Sequence, residues 1–319
     1  MNKKVFVFIC RIINSNMSYL LRMEGVKMEK EAKLVIDAKA ILGEGPCWDE
    51  LTDTLYWVDI EGKKLHVYET KNNQDHSFDV GQHIGACVLK ETGGLILAME
   101  NGLYCFDINR NQLTPIVDPE EGISTNRFND GKCDSSGRFF AGTMAFDGSK
   151  EKGSLYCLHN DLTVTRVLSN VTISNGIAWD DKKGKMYYND TGVNKVYAFD
   201  YDPKTGRLSN QTVAIDVIKE HGGPDGMTID NEGMLWIAHW GGAKVARWNP
   251  DNGDLLYEVK VPASHVTSCT FGGENLDELY ITTARTGISE EELLKQPLAG
   301  GVFKIKTNVS GAPSYRFKG

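Results

Sequence analysis

Four oxygen-bearing side chains in this sequence each stand immediately before a glycine: Glu44-Gly45, Asp130-Gly131, Asn175-Gly176 and Asp225-Gly226. Three carboxylates and a carboxamide brought to one point would repel as a bare cluster. Oxygen donors of this kind suit Ca²⁺, Mg²⁺ or Mn²⁺, and a carboxylate-rich set also holds Zn²⁺. A divalent-metal centre is the chemistry these residues offer, provided the fold converges them. Taken singly, Asp-Gly and Asn-Gly are common turn dipeptides, and any one of them could merely shape a turn. Other chemistries lack their residues: there is no Gly-x-Ser-x-Gly elbow, no His-Glu-x-x-His and no phosphate-binding loop.

The elements that must position these residues come from an internal repeat. Six segments share one layout, opening at Glu44-Gly45-Pro46-Cys47-Trp48-Asp49, Ile84-Gly85-Ala86, Asp130-Gly131-Lys132, Asn175-Gly176-Ile177, Asp225-Gly226-Met227 and Thr267-Ser268-Cys269. With the Gly (or Ser268) as reference, successive spacings are 40, 46, 45, 50 and 42 residues. About ten residues after each opening comes a run of β-formers: Leu55 to Ile60, Leu95 to Met99, Phe139 to Met144, Met186 to Asp190, Leu235 to Trp240 and Leu279 to Ala284. Turn signals such as Ser135-Ser136-Gly137 and Asn231-Glu232-Gly233 separate opening from run. Only Ser289 to Lys295 reads as a short helix. Units of 40–50 residues carrying three or four short strands predict propeller blades. The expected fold is all-β, a six-bladed β-propeller with a central metal site; a β-sandwich or two β domains are the alternatives. The run Lys33 to Asp37 has no blade of its own and should pair with the last blade, near Val302 to Ile305, closing the ring. In a propeller the same position of each repeat converges on the axis, which gathers Glu44, Ile84, Asp130, Asn175, Asp225 and Thr267. As a set at one repeat position, the site reading outweighs the turn reading.

These motifs also resemble a known family. Glu44-Gly45-Pro46, Arg127-Phe128-Asn129-Asp130-Gly131-Lys132, Ala141-Gly142-Thr143-Met144, Ile173-Ser174-Asn175-Gly176, Phe199-Asp200-Tyr201-Asp202, Pro224-Asp225-Gly226-Met227 and Thr267-Ser268-Cys269-Thr270-Phe271-Gly272-Gly273 are similar, in order and spacing, to the SMP-30/gluconolactonase/regucalcin family. The resemblance runs from about residue 33 to the C-terminus and implies a six-bladed propeller hydrolysing aldonolactones with a divalent metal. It implies Glu44, Asn175 and Asp225 as metal ligands, Asp225 doubling as general base, with Arg127 and Asn129 contacting substrate. Asp130 would then be structural. Where relatives carry paired acidic residues after Ala-Gly-Thr-Met-Ala, this chain has Phe146-Asp147; Asp147 stands in as the substrate-binding carboxylate, one methylene shorter. The expected reaction is ring opening of a small sugar lactone such as gluconolactone by metal-assisted water, with no covalent intermediate. The expected cofactor is one divalent ion, Ca²⁺ or Zn²⁺ ahead of Mg²⁺ or Mn²⁺. The rival reading is a calcium-binding regulatory propeller without catalysis; a third is a non-catalytic propeller presenting its faces to protein partners. Arg127 and Asn129 favour the enzyme, because an ion buffer has no use for a substrate clamp.

Bulk properties narrow the partners. The chain has 319 residues, 41% of them hydrophobic and 24% charged, as in ordinary globular proteins. Its formal charge of −8 and the lack of a basic stripe argue against nucleic acid. No apolar stretch approaches the length of a membrane span. The seven cysteines (Cys10, Cys47, Cys87, Cys105, Cys133, Cys157 and Cys269) are scattered and never form a Cys-x-x-Cys pair. That usage predicts reduced, mostly buried thiols in a cytoplasmic protein. Residues 1–32 read as an extension outside the propeller, which spans 33–319. Within it, Lys3-Lys4 followed by Val5 to Cys10 begins like a signal peptide, but the apolar run stops after six residues at Arg11; Met28 is a candidate start. His83 precedes the second blade's opening, within reach of the axial pocket, but a role outside the site outweighs one lining it; His239 and Trp240 end a middle strand, where packing or surface roles are more usual. Trp48, Trp57, Trp179, Trp236 and Trp248 recur at blade positions suited to the inter-blade core.

Overall fold

The computed structural model describes residues 30–319. The expectations for residues 1–27 and for Cys10 lie outside the described residues. Six four-stranded antiparallel sheets follow one another along the chain, and adjacent first strands pack against each other around a closed ring. The first blade comprises β2 (Gly43–Asp49), β3 (Thr54–Asp59), β4 (Lys64–Glu69) and β5 (Gln74–Asp79). The inner strands of the next four are β6 (Ile84–Leu89), β10 (Asn126–Cys133), β14 (Ser174–Asp180) and β18 (Gly223–Ile229). The sixth is built from β22 (Val266–Gly272), β23 (Glu278–Thr283), β24 (Val302–Lys306) and, outermost, β1 (Lys33–Ile36). The N-terminal strand pairs Lys33 with Lys304 and Leu34 with Phe303, so the two ends of the described chain close the ring together as the sequence led one to expect. The chain is a six-bladed propeller.

Why these residues make strands is visible in their burial. Inner strands such as Cys47-Trp48 or Ile177-Ala178-Trp179 are buried on both faces, because neighbouring blades cover each side. Outermost strands such as Gln74–Asp79 are polar and mostly exposed, as a sheet edge facing water should be. Aromatic side chains join the blades: Trp48 stacks on Tyr280 (5.3 Å), Trp236 meets Phe271 edge-on (5.6 Å) and Phe140 meets Trp179 (5.3 Å). The five tryptophans expected in the core are each 0–6% exposed. The short helix Glu290–Lys295 forms as its sequence suggests, with Ser289 Oγ accepting from the Glu292 amide at its start.

The repeated Asp-Gly and Asn-Gly pairs do not sit in turns. Each of the six inner strands carries a register irregularity at its axial residue: between Glu44 and Cys47, Ile84 and Ala86, Phe128 and Asp130, Ser174 and Ile177, Pro224 and Met227, and Val266 and Ser268. A bulge leaves one residue out of the ladder and re-aims its side chain. The glycine that follows has a steric cause. A Cβ on Gly176 would lie 2.6 Å from the Asp225 carbonyl oxygen, and one on Gly85 would lie 2.5 Å from the Phe128 carbonyl oxygen. At Gly85 and Gly176 the inner strands therefore approach so closely that only glycine fits beside the bulge.

Beyond β24 the chain crosses one face of the ring as a strap that touches every blade. Gly311 N–H bonds to the Leu276 carbonyl, Ala312 N–H to Ile229, Phe317 N–H to Leu89 and Lys318 N–H to Gly137. Tyr315 donates its hydroxyl to Asp181 (2.8 Å), and Arg316 pairs with Asp49. Phe317 is fully buried among Ala86, Val88, Phe128 and Phe139.

Candidate functional site

The six bulges carry the site. Glu44, Asn175 and Asp225 are 3%, 3% and 4% exposed, in the first, fourth and fifth blades. The Asp225 carboxylate is flanked by the Asn175 amide and the Glu44 carboxyl, so residues up to 181 positions apart in sequence converge at the axis. Among the described residues no three His, Cys, Asp or Glu side chains gather as a metal-binding group; this set has two carboxylates and a carboxamide.

The electrostatics of the set are those of a cation site. Burial, then the charges of Asp225 and Asp130, holds the Glu44 carboxyl well above the usual carboxylate range. Burial and Asp130 do the same to Asp225. Neutral pH thus asks two mutually repelling buried groups to be ionised together, which a divalent cation would relieve. Polar satisfaction points the same way. Asn175 Oδ1 and Asp225 Oδ1 are buried without a hydrogen-bond partner, whereas native interiors leave few such atoms unpaired. Two orphaned oxygens beside Glu44 fit a hard cation.

Arg127, bonded to Asn129, lies close enough for the charges of Glu44 and Asp225 to act on it. Arg127 Nη1 donates to Asn129 Oδ1 (2.6 Å) and to the Phe128 carbonyl (3.0 Å), while Asn129 Nδ2 donates to the Ser174 carbonyl (2.8 Å). Burial pulls the Arg127 guanidinium down, against the opposing pull of Glu61, Glu44, Asp225 and Glu100. Asp130 is buried too, its Oδ1 accepting from Gly131 N–H (2.7 Å). Lys132, near enough to offset its charge, donates to the Met227 carbonyl (2.6 Å).

Asp147 lies apart from this set. It is exposed, and its carboxylate accepts from the amide (2.9 Å) and hydroxyl (2.8 Å) of Ser149, which hold its pKa below the usual carboxylate value. Phe146 beside it packs edge-on against His83 (5.2 Å), and His83 Nδ1 is paired with Glu100 (2.7 Å). His239 is fully buried; its Nε2 accepts from Trp248 Nε1 (3.3 Å), and burial pushes its pKa down to about 3, so it is neutral at physiological pH. The described cysteines are all free, and all but Cys105 are buried. Burial raises the Cys47 thiol to about 11, which makes a poor nucleophile.

Two residues at this site had no sequence signal of their own. Thr191 Oγ1 accepts from Asn175 Nδ2 (3.0 Å) and donates to the Pro224 carbonyl (2.6 Å); Asn189 Nδ2 donates to the Asp225 carbonyl. Asn189 is near the end of the second strand of the fourth blade, Lys185–Asp190, and Thr191 comes directly after it, both outside the repeated opening motif.

Known proteins resemble this chain in sequence and fold. The sequence profile of the SMP-30/gluconolactonase/LRE-like region matches residues 42–285. A Bacillus subtilis (strain 168) protein named "Putative sugar lactone lactonase YvrE" is 38% identical, with 91% of this chain and 99% of that protein covered. Regucalcin of Danio rerio is 39% identical over 93% of this chain and 100% of its own. The solved structure of a calcium-binding protein, regucalcin, from Agrobacterium tumefaciens superimposes with a TM-score of 0.86 at 27% identity, covering 91% of this chain and 99% of that one. With the profile spanning most of the propeller and relatives this similar over nearly their whole length, the chain belongs to the SMP-30/gluconolactonase/LRE-like family.

Proposed function

We propose that this chain is a lactonase that opens small sugar lactones, gluconolactone among them, with one divalent cation held by Glu44, Asn175 and Asp225. The observation that carries the reading is the pair of buried, unpartnered oxygens on Asn175 and Asp225 beside Glu44, with Arg127, bonded to Asn129, close enough to feel the charges of Glu44 and Asp225. A relative named for lactonase activity supports the substrate class, and relatives named regucalcin support a divalent ion. When bound, such a cation supplies Lewis acidity toward a carbonyl oxygen or a water.

The protein's own groups account for the rest. Arg127, fixed by Asn129 and by its own neighbouring carbonyl, presents guanidinium N–H groups to the hydroxyls of the sugar, which orients the ester carbonyl at the axis. The Asp225 carboxylate, besides its part in holding the cation, takes the proton from the attacking water. Oxygen of that water bonds to the carbonyl carbon, the ring C–O bond breaks, and a proton passes to the departing ring oxygen, giving the open hydroxy acid. Asp147 is the proposed further contact to substrate hydroxyls. The soluble, cytoplasmic setting, with no nucleic-acid or membrane partner, remains part of the proposal; among the described residues no helix is long and apolar enough to cross a membrane.

The same ligand set would serve calcium binding without turnover, and the relatives named regucalcin favour that as the second reading. One experiment separates the two. Chelated protein is resupplied with Ca²⁺, Mg²⁺, Mn²⁺ or Zn²⁺ and assayed by pH-stat on a panel of aldonolactones, beside Asp225→Ala. Metal-dependent ring opening that the variant loses by 10³-fold or more supports the enzyme; metal binding with no lactone opened leaves the calcium-binding reading.

A further inference from the structure

We propose that Thr191 and Asn189 are positioning residues: Thr191 turns the amide of Asn175 so that oxygen, not nitrogen, is offered to a cation at the axis, and Asn189 holds the main chain of Asp225 in place. The inference rests on the metal reading above and deepens it.

Donor and acceptor identity decides which end of the Asn175 amide faces the axis. A threonine hydroxyl has a single hydrogen and two lone pairs. That hydrogen goes to the Pro224 carbonyl at 2.6 Å, which can only accept. Toward Asn175 the hydroxyl therefore offers lone pairs alone, and a carboxamide can answer a lone pair only with its N–H₂. Asn175 Nδ2 accordingly donates to Thr191 Oγ1 at 3.0 Å, and its Oδ1 is left buried with no partner. Without the hydroxyl the two ends of the amide, nearly equal in shape, would both be admissible, and one of them repels a cation.

Asn189 works on the neighbouring blade by the same logic. Fully buried and lying opposite the fourth-blade bulge, it donates Nδ2 to the Asp225 carbonyl. That carbonyl is the group a Cβ on Gly176 would strike, so the bond secures Asp225 where the two inner strands approach most closely. Asp190, between them, holds the turn: its carboxylate accepts from the amides of Thr172 (2.9 Å), Ile173 (2.9 Å) and Gly192 (3.0 Å). Three consecutive residues thus clip the two ligand-bearing strands together. Outer partners of this kind are worth about 10- to 100-fold in metal affinity where they have been removed.

The test is metal affinity, read by competition with a chromophoric chelator, using Ca²⁺ and Zn²⁺ on the full chain. Thr191→Val should weaken binding about tenfold or more, and Thr191→Ser should restore it. A double-mutant cycle distinguishes amide orientation from mere packing: in an Asn175→Asp background both ends of residue 175 are oxygens, so Thr191→Val should there cost under threefold. Asn189→Ala carries the same measurement from the Asp225 side, so a Thr191→Val chain that failed to fold would still leave a decisive result. Variants binding each metal within twofold of the wild type would overturn the clip while leaving the metal site standing. A wild-type chain that bound neither ion would instead remove the metal reading itself, and the clip with it.

Discussion

At the scale of single residues, the site is a set of groups that are uncomfortable without a cation. Glu44 and Asp225 have folded-state pKa values raised by burial first and neighbouring carboxylates second. A carboxyl with a raised folded value binds its proton more tightly in the folded chain than in the unfolded one. The metal-free protein therefore gains stability as pH falls below the folded value, and loses it as pH rises toward the charged state. A bound divalent ion removes that penalty, so the gap in Tm between metal-saturated and chelated protein should widen from pH 6 to pH 8. Buried His239, with its pKa near 3, also shapes the pH dependence but is common to both forms and cancels in the gap. Calorimetry at the two pH values, with and without chelator, checks this; a gap that stayed constant or narrowed would mean that these carboxyls do not carry the cation. Removing one of them by Glu44→Gln should raise the Tm of the chelated form and lower that of the metal-loaded form.

At the scale of the element, the informative feature is the bulge. Repeat spacing made the blades readable, because a glycine recurs at the same position of five of the six blades, and at Gly85, Gly176 and Gly226 the close approach of the neighbouring inner strand forces it. The ring-closing pairing of Lys33–Ile36 was readable as well, since an apolar strand without a blade has only one vacancy to fill. The bulge itself was hidden. Locally, Asp-Gly reads as a turn, and only the cross-strand register shows that Asn175-Gly176 is an irregularity in a ladder. Thr191 and Asn189 were hidden for a related reason: their partners lie 16 to 36 residues away in sequence, and no local pattern marks them. Glu44, Asn175, Asp225, Arg127 and Asn129 were legible through motif and repeat position together. Gly176→Ala tests the element. Its methyl would meet the Asp225 carbonyl oxygen (2.6 Å) and the Met227 amide nitrogen (2.8 Å) as well as the Met227 side chain (2.7 Å); the side chain can yield but the main chain cannot, so the strands must part. The expected cost is about 1–3 kcal/mol, typical of overpacking, together with weakened metal binding because Asp225 moves. An alanine variant with unchanged Tm and affinity would show that the strands have slack there.

At the scale of the whole molecule, a propeller is a ring whose weakest point is its closure, and here closure has two layers. β1 joins the two ends of the described chain within one blade, and the terminal strap then crosses all six blades on one face. The strap also seals the axis. A small cavity there is lined by Cys47, Cys87, Asp130, Lys132 and Cys133, and Ser314 and Tyr315 form part of its wall. Phe317 is the anchor, fully buried against the second and third blades. Phe317→Ala should destabilise the chain by about 3–5 kcal/mol, as large-to-small changes of buried aromatics do. It should also have an effect that generic destabilisation does not: as the strap lifts, Cys47, Cys87 and Cys133 should react with a thiol reagent under conditions where far-UV circular dichroism still reports an intact β-sheet fold. In the wild type, reaction among the described cysteines should be confined to half-buried Cys105. Mass-spectrometric mapping of the labelled thiols decides the matter. Labelling of the axial cysteines only in step with loss of the circular-dichroism signal would show that the strap contributes stability without sealing the axis, whereas labelling ahead of unfolding would establish it as the floor beneath the metal site.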